Sequence, residues 1–424
     1  MDLLRIATAG SVDDGKSTLI GRLLYDSKAI YDDVLESTEE ASRRQSADYL
    51  NLALLTDGLR SEREQGITID VAYRYFATLK RKFILADTPG HIQYTRNMVT
   101  GASTADLALI IVDARNGIVE QSRRHAVIAS LLGIRHMVVC VNKMDLVNYS
   151  HDRYATIRDE FRTLLNDLNV EDAHFIPISA LIGDNVVKES ANMPWYAEGP
   201  LLAYLEQIDA SDDPGERPLR LPVQYVIRPM RHEYHDYRGY AGTIADGVVR
   251  VGQEVEILPS GKTTRIAAVE TPDGEVEQAS GRTAVTVRLA DQLDVSRGDM
   301  ISATDGAPRT TRTFDATICW MSEVTQLQQG ATLRIKHTTR TTRAMITSID
   351  SQIDINTLAA RTDCTALKLN EIGRVSIRTS TPLVCDDYTY NRKTGSFILI
   401  DESTNETVAA GMIGSPGFGD FASL

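Results

Sequence analysis

The segment from Gly10 to Ser17, with the letters GSVDDGKS, has the residue types and the spacing of a phosphate-binding loop. Its glycines allow successive backbone N–H groups to point at one anion, and a helix that starts directly after the loop adds the partial positive charge of its N-terminus. The Lys16 ammonium can then reach the β and γ oxygens of a nucleoside triphosphate, while the Ser17 hydroxyl suits Mg²⁺. The predicted phosphate-binding residues are Gly10, Ser11, Val12, Asp13, Asp14, Gly15, Lys16, Ser17 and Thr18.

A second motif, Asp87-Thr-Pro-Gly90, follows an apolar run that is predicted to be a strand. A carboxylate at Asp87 can hold Mg²⁺ through a water molecule, and the Gly90 N–H can contact a γ-phosphate. Taken alone, these four residues are more often a plain turn. Because they follow the phosphate loop at the expected edge of a sheet, we predict that Asp87 and Gly90 belong to the same site.

A third motif, Asn142-Lys-Met-Asp145, suits recognition of a guanine base. The Asp145 carboxylate can accept two hydrogen bonds from guanine N1 and N2, a paired donor face that adenine lacks. Asn142 is expected to bind the edge of the base, the aliphatic stem of Lys143 to cover its ring, and the backbone N–H groups of residues 179–181 to reach O6. The predicted ligands are therefore GTP and GDP, and the predicted base-binding residues are Asn142, Lys143, Asp145, Ser179, Ala180 and Leu181.

The motifs follow apolar runs in a part of the chain where strand-like and helical patterns alternate. This alternation extends over the first 210 residues and predicts a mostly parallel sheet with helices on both faces. Ligands of such sheets bind beyond the carboxyl ends of the strands. The predicted strands end at Gly10, Asp87, Asn142 and Ser179, so one site can collect all four.

The remainder of the chain is predicted to form antiparallel β-barrels. After the polar segment 209–218, short β-rich runs alternate with glycine turns, and long helical patterns are absent. A second polar segment, 304–313, separates two such regions. The predicted architecture is an α/β P-loop domain over residues 1–210, one β-barrel domain over 211–306 and another over 307–424.

Composition is ordinary for a globular protein, with 42% hydrophobic and 24% charged residues. The net charge of −13 argues against bulk nucleic-acid binding, and no apolar stretch approaches the ~20 residues of a membrane-spanning helix. Asp13 and Asp14 come too early for a signal peptide. The four cysteines are far apart and form no CxxC pair, which favours a cytoplasmic location over a disulfide framework or a zinc site.

Together, the motifs resemble those of GTPases of the translation-factor class. The resemblance implies that residues 63–68, REQGIT, form the first switch, where the Thr68 hydroxyl ligates Mg²⁺ while the γ-phosphate is present. It also implies that His91 orients the attacking water and that an acid at Asp13 is linked to a monovalent cation near the phosphates. Asp14 departs from the histidine that is usual in elongation factors. The catalytic residues so implied are His91, Lys16 and Thr68, and the metal ligands are Ser17, Thr68 and, via water, Asp87.

The resemblance extends over nearly the whole chain to one family, the large, GTP-hydrolysing subunits of heterodimeric bacterial sulfate adenylyltransferases. The stretches 193–196 (MPWY) and 394–400 (TGSFILI) are the most telling, because elongation factors share several of the others. One departure is Ile92, where an acid is frequent after the histidine. The remaining similar stretches are 94–98, 101–106, 130–136, 233–236, 238–242, 335–341, 369–374 and 408–412.

This resemblance implies a partner, a small catalytic subunit that joins ATP and sulfate to give adenosine 5′-phosphosulfate and pyrophosphate. The present chain would couple GTP hydrolysis to that unfavourable step of sulfate assimilation and cysteine biosynthesis, in at least a heterodimer. The sequence contains no SGGxDS pyrophosphate loop and no second phosphate loop, so adenylyl transfer is expected on another chain and no fused adenylylsulfate kinase domain is expected. The charged segment 32–65 would either carry the switch motion to the partner or form a solvated helical lid.

Two other functions are alternatives at this stage. An elongation factor of the 1A/Tu type, which carries aminoacyl-tRNA, would share the fold and the GTP motifs. A nucleotide-gated scaffold without useful turnover would share them as well, although the presence of Thr68 and His91 counts against it.

Overall fold

The structure is a computed structural model that describes residues 2–27, 52, 70–90, 95–168, 170, 172–209, 217–229, 237–354, 357 and 359–414. The chain forms two compact units, of which the first covers Met1–Ala210 and the second covers most of the chain after it. None of the helices in these described ranges is long and apolar enough to cross a membrane.

The first unit is an α/β domain. Its strands are β1 (Asp2–Gly10), β2 (Ala72–Ala77), β3 (Arg81–Asp87), β4 (Leu107–Asp113), β5 (His136–Asn142) and β6 (Asp172–Pro177). Its helices are α1 (Lys16–Asp26), α2 (Thr95–Ala102), α3 (Glu120–Leu131), α4 (His151–Asp167) and α5 (Leu201–Gln207), with a short 3-10 helix at Met144–Val147. The sheet order is β2-β3-β1-β4-β5-β6, and every neighbouring pair is parallel except β2–β3.

Both faces of this sheet are buried. Leu109 and Ile111 of β4 pack in one core with Leu19 and Leu23 of α1. Ile110 lies between the two β4 residues, so it points to the opposite face, and it too is fully buried. The continuous apolar sequence of β4 is therefore explained by burial on two sides.

The parallel strands bring their carboxyl ends to one edge of the sheet. β1 ends at Gly10, β3 at Asp87, β4 at Asp113 and β5 at Asn142. Helix α1 begins at Lys16, directly after the loop that follows β1. The predicted strand–loop–helix arrangement is thus present, and it positions the site.

The second unit contains two closed antiparallel sheets. The strands of the first are β7 (Arg220–Ile227), β8 (Gly239–Thr243), β9 (Val248–Arg250), β10 (Glu254–Leu258), β11 (Lys262–Thr271), β12 (Gly274–Val276), β13 (Gln278–Ser280), β14 (Ala284–Leu289) and β15 (Met300–Ala303). The order β10-β15-β7-β8-β14-β11 closes into a barrel because β10 also pairs with β11. β12 extends β11, and β9 and β13 form a separate pair.

The second barrel contains the longest strands among the described residues. Its strands are β16 (Arg309–Trp320), β17 (Leu327–Gln328), β18 (Thr332–His337), β19 (Arg340–Ile353), β20 (Ala360–Arg361), β21 (Ala366–Leu367), β22 (Ile372–Cys385), β23 (Ser396–Ile400) and β24 (Thr407–Ile413). The order β18-β23-β24-β16-β22-β19 closes because β18 also pairs with β19. The α/β domain followed by antiparallel barrels confirms the predicted fold class, while the bounds of the three predicted domains stay a prediction.

Candidate nucleotide site

The phosphate loop joins the end of β1 to the start of α1. Within it Asp13 has φ 66° and Gly15 has φ 93°, so both lie in the left-handed region. Gly15 is required for a second reason, because a Cβ atom there would lie 2.4 Å from Nδ2 of Asn142. Left-handed backbone at a non-glycine residue such as Asp13 is a feature that concentrates at functional sites.

Lys16 extends from the phosphate loop to the end of β3. Its buried Nζ donates to the carbonyl oxygen of Thr88 and lies 3.4 Å from Oδ1 of Asp87. Asp87 is itself held by the Thr8 hydroxyl, which donates to Oδ1 at 3.3 Å. The lysine therefore connects the GKS motif with the DTPG motif, as the sequence predicts for two parts of one site.

Gly90 lies against the phosphate loop. A Cβ atom added to it would be 2.5 Å from the carbonyl oxygen of Gly10, so only glycine allows this approach. The Gly90 carbonyl accepts a hydrogen bond of 2.8 Å from Nε2 of Gln121 on α3. Gln121 is in turn 3.3 Å from the buried His125 ring. Burial, with the Lys16 charge in addition, lowers the pKa of His125 to about 3, so the ring is neutral.

The motif predicted to recognise the base is joined directly to the phosphate loop. Nδ2 of the buried Asn142 donates to the carbonyl oxygen of Asp14 at 2.7 Å, and its Oδ1 accepts from the Ala180 N–H at 2.9 Å. The Ser179 hydroxyl donates to Oδ1 of Asp145 at 2.6 Å, which orients that carboxylate. Asn142 therefore holds three loops together, and its predicted direct contact with a base edge stays a prediction.

The loop that ends in Leu181 is also fastened to α1. Arg22 Nε donates to the carbonyl oxygen of Ala180 at 3.1 Å, and its Nη2 donates to the carbonyl of Leu181. The Leu181 side chain is half exposed. The backbone N–H groups proposed for base recognition are thus positioned by an arginine that the sequence analysis did not single out.

A charge cluster centred on the buried Asp113 lies beside the phosphate loop. Asp113 binds Lys143 Nζ at 2.9 Å and the Arg115 guanidinium at 2.6 Å. Burial raises its pKa, but the hydrogen bonds from Arg115 and Lys143 outweigh this and bring the pKa down to about 2. Lys143 also donates to the Asp13 carbonyl oxygen. Asp113 thus anchors the lysine that is predicted to cover the guanine ring.

The pKa of the neighbouring Asp14 is shifted in the opposite direction. Its Oδ2 accepts the Ser11 N–H at 2.7 Å. Burial, with the charge of Asp113 in addition, raises the pKa of Asp14 to about 6. Two carboxyl groups of one cluster are therefore held at different pKa values by their surroundings.

Most predicted site residues meet at this one edge of the sheet. Thr68, His91 and Ile92 lie outside the described residues, as do the predicted first switch, 63–68, and the charged segment 32–65 apart from residue 52. Sequence reasoning missed Asp113 and Gln121. Asp113 carried a usable signal, because it ends a buried strand as Asp87 does.

Comparison with known proteins agrees with this geometry. Residues 1–214 match the family described as the elongation factor Tu GTP binding domain, and residues 313–414 match the GTP-eEF1A C-terminal domain-like family. A sulfate adenylyltransferase subunit 1 from Alteromonas mediterranea is 51% identical over 414 residues, which are 97% of this chain and 87% of that protein. This chain belongs to the sulfate adenylyltransferase subunit 1 family.

Other relatives of this GTPase subunit are longer. The bifunctional enzyme CysN/CysC of Mycobacterium tuberculosis is 61% identical over 412 residues, which are 97% of this chain and 67% of that protein. Among solved structures, sup35 complexed with GDP matches 98% of this chain and 94% of its own at 23% identity, with a TM-score of 0.45.

The family assignment confirms the predicted resemblance. The first unit is a GTP-binding domain, and the chain is one subunit of a sulfate adenylyltransferase that contains another kind of subunit. The alternative of an elongation factor is less supported, because relatives that align with nearly the whole chain carry the sulfate adenylyltransferase name.

Proposed function

We propose that this subunit hydrolyses GTP at the described site and couples the hydrolysis to formation of adenosine 5′-phosphosulfate from ATP and sulfate on a small partner subunit. The observation that carries the proposal is the junction at Asn142, which joins the phosphate loop to the guanine-recognition loop in a chain of the subunit 1 family. The proposed location is the cytoplasm, since the cysteines Cys140, Cys319, Cys364 and Cys385 are free thiols.

The phosphate end of the site would stabilise the transferring γ-phosphoryl group. Lys16, now held by the Thr88 carbonyl and by Asp87, would direct its ammonium to the β and γ oxygens. The residues from Gly10 to Thr18 would contribute backbone N–H groups and the N-terminus of α1. The Gly90 N–H would contact the γ-phosphate, with Gln121 fixing the peptide on its carbonyl side.

The residues present fit a Mg²⁺ ion. The Ser17 hydroxyl and the Asp87 carboxylate are hard oxygen donors, with the latter acting through water, and phosphate oxygens and water would complete the coordination. When bound, Mg²⁺ neutralises charge on the β and γ oxygens. Thr68 is proposed as a further ligand, and a monovalent cation is proposed near Asp13.

The role of positioning the water that attacks the γ-phosphate is proposed for His91, which follows Gly90 in the chain. The imidazole would orient the attacking water, and release of Thr68 and Gly90 after hydrolysis would pass the conformational change to the partner.

At the base end of the site, the Asp145 carboxylate would accept hydrogen bonds from N1 and N2 of guanine, while Lys143 covers the ring.

The decisive experiment measures GTP hydrolysis by the purified chain with and without the small subunit, ATP and sulfate, while pyrophosphate is followed in parallel. Partner-stimulated hydrolysis together with GTP-dependent pyrophosphate release supports the proposal. A response to ribosomes and aminoacyl-tRNA, with none to the small subunit, contradicts it.

A matched pair of histidine variants tests the catalytic assignment. His91→Ala should lower the hydrolysis rate by about 10²-fold or more and leave GTP binding intact, since general-base and water-orienting groups contribute about that much. The control is His151→Ala, which removes a half-exposed histidine at the start of α4. Equal turnover of the two variants would contradict the role of His91.

A further inference from the structure

Strand β2 lies at the edge of the α/β sheet and presents backbone groups outward. Within the described part of the chain it pairs with β3 and with no other strand. The Thr78 N–H donates to the Arg81 carbonyl at 2.9 Å, which makes this a hydrogen-bonded pair. Hydrogen-bonded and non-bonded pairs alternate in antiparallel strands, so the N–H and C=O groups of Tyr73, Tyr75 and Ala77 point away from β3. These are the groups that an added strand would bind.

Two exposed tyrosines stand on one face of this edge. Tyr73 is 44% and Tyr75 is 68% exposed, and their spacing of two puts both rings on the same side of the strand. Together with Arg5, Ile84 and residues of the segment that follows α2, they line a cavity of about 270 Å³. Exposed aromatic rings that border an apolar cavity are typical of a protein-binding surface.

Two basic side chains, Arg5 and Lys82, lie on the same face. Arg5 pairs in register with Ile84, and Leu3 with Lys82, so Arg5 and Lys82 share the side of the sheet on which the tyrosines stand. Lys82 is exposed, and Arg5 Nη1 is 3.9 Å from Oδ2 of Asp106, which is longer than a hydrogen bond. The guanidinium therefore keeps donors for another carboxylate. The whole segment 72–86 contains no acidic residue, although the chain has a net charge of −13.

We propose that the edge of β2, with Tyr73, Tyr75, Arg5 and Lys82, is a docking surface for the other subunit of the enzyme. The occupant would be an extended segment of that subunit that adds a strand to β2. One of its side chains would fill the cavity between the tyrosines, and its carboxylates would pair with Arg5 and Lys82.

A partner strand bound along β2 would connect docking of the other subunit with the nucleotide site. In the β2–β3 register Ala72 lies opposite Asp87, the proposed Mg²⁺-site carboxylate, and β2 begins four residues after Thr68. A strand bound along β2 therefore rests on the hairpin whose far end forms part of the GTP site. This link to hydrolysis rests on the proposed function, whereas the docking itself rests on membership of an enzyme with a second kind of subunit.

The test measures the affinity of the full chain for the purified second subunit by sedimentation or calorimetry, at low and moderate salt. Tyr73→Ser and Tyr75→Ser together should weaken binding at least tenfold. Tyr225→Ser is the matched control, because Tyr225 is 67% exposed but lies on a barrel strand. Arg5→Glu with Lys82→Glu should weaken binding and reduce its dependence on salt.

A third variant separates the contribution of strand addition to the affinity from the contribution of the cavity. Ala77→Pro removes an outward N–H but leaves the cavity walls, and proline is tolerated on an edge strand. We expect it to weaken binding by several-fold, with the melting temperature and the affinity for a fluorescent GDP analogue unchanged in all variants.

The outcomes separate the two proposals. Unchanged affinity of the double tyrosine variant, or no binding of the second subunit by the wild-type chain, overturns the docking surface. If binding is lost as expected but wild-type GTP hydrolysis does not respond to the second subunit, docking stands and the proposed coupling fails.

Discussion

Asn142 donates through Nδ2 to the carbonyl oxygen of Asp14 at 2.7 Å and so ties the end of β5 to the phosphate loop. The same side chain accepts the Ala180 N–H through Oδ1. Both the nitrogen and the oxygen of its amide thus brace neighbouring loops, and the shape of the nucleotide site depends on them.

Replacing Asn142 by Ala should therefore weaken nucleotide binding. The variant loses two buried hydrogen bonds, worth about 2 kcal/mol in total, which corresponds to roughly 30-fold in affinity if the loss falls on the bound state. The measurement is the Kd for GDP and GTP by fluorescence titration.

Asn185→Ala is the control for that variant. Asn185 is equally buried and makes two similar bonds, to the Pro177 carbonyl and from the Ser190 N–H, away from the phosphate loop. It should lower the melting temperature with little change in nucleotide affinity. A similar loss of affinity in both variants would show that general destabilisation, and not the brace, is responsible.

Gly15→Ala should strongly weaken nucleotide binding by combining two effects. Alanine at φ 93° costs about 1–2 kcal/mol, and its Cβ would also meet Nδ2 of Asn142 at 2.4 Å. Gly252 has φ 81°, and a Cβ atom added there would have no other atom within 4 Å, so Gly252→Ala isolates the backbone cost. We expect more than about 100-fold loss of GDP affinity for the first variant and none for the second. Retained affinity of Gly15→Ala would mean that the loop moves freely away from Asn142.

The sequence predicted the outline of this site better than its internal connections. The phosphate loop, Asp87 and the Asn142 motif were recognisable because strand, loop and helix signals are local and because parallel strands end at one edge. The roles of Gln121 and Asp113 depend on contacts between distant segments, at Gly90 and at Lys143, which no spacing in the sequence specifies.

The barrels show the same limit of prediction from sequence. Alternating β-rich runs and glycine turns were enough to predict antiparallel barrels. The hairpins β10–β11 and β18–β19 are local, but each barrel also needs strands that lie far apart in the chain to pair: β7 with β15 in the first barrel and β16 with β24 in the second. Such long-range pairing is decided by packing in the barrel core and cannot be read from a local pattern.

His125 should make the α/β domain sensitive to acid. Its pKa is about 3 when folded and about 6.5 when unfolded, because burial and the Lys16 charge oppose protonation. The unfolded state therefore binds more protons between pH 3 and 6.5, and the stability that His125 contributes falls as the pH drops through that window. From pH 7 to pH 5 this loss is about 2 kcal/mol.

The measurement for His125 is denaturant unfolding at pH 7 and pH 5, comparing wild type with His125→Gln. The variant should lose less stability than wild type over this interval. Asp14 acts in the opposite direction, because its folded pKa of about 6 lies above its unfolded value, so its contribution falls as the pH rises from 4 to 6. Asp14→Asn should accordingly increase the acid sensitivity, and an identical pH response of all three proteins would contradict both assignments.

A buried ion pair in the second unit is expected to contribute to the stability of that unit, and this can be tested. The Arg220 guanidinium of β7 binds both carboxylate oxygens of Asp386, with Nε–Oδ2 at 3.0 Å and Nη2–Oδ1 at 3.1 Å. Arg220 is 1% exposed and also donates to the Gly306 carbonyl and the Ser302 hydroxyl. Asp386→Ala would leave this guanidinium buried without its counter-charge, at a cost of about 3–5 kcal/mol.

The adjacent residue provides the control for this pair. Asp387 binds Arg309 at 2.5 Å, but both side chains are more than half exposed, so Asp387→Ala should cost less than about 1 kcal/mol. Thermal unfolding of the two variants should therefore differ clearly, although they remove the same group from neighbouring positions. Since Arg220 begins the first barrel and Asp386 follows the long strand β22 of the second, a large loss for Asp386→Ala alone would identify the pair as a link that holds the two barrels in one unit. Equal, small losses would mean that water or other groups compensate Arg220 once Asp386 is removed.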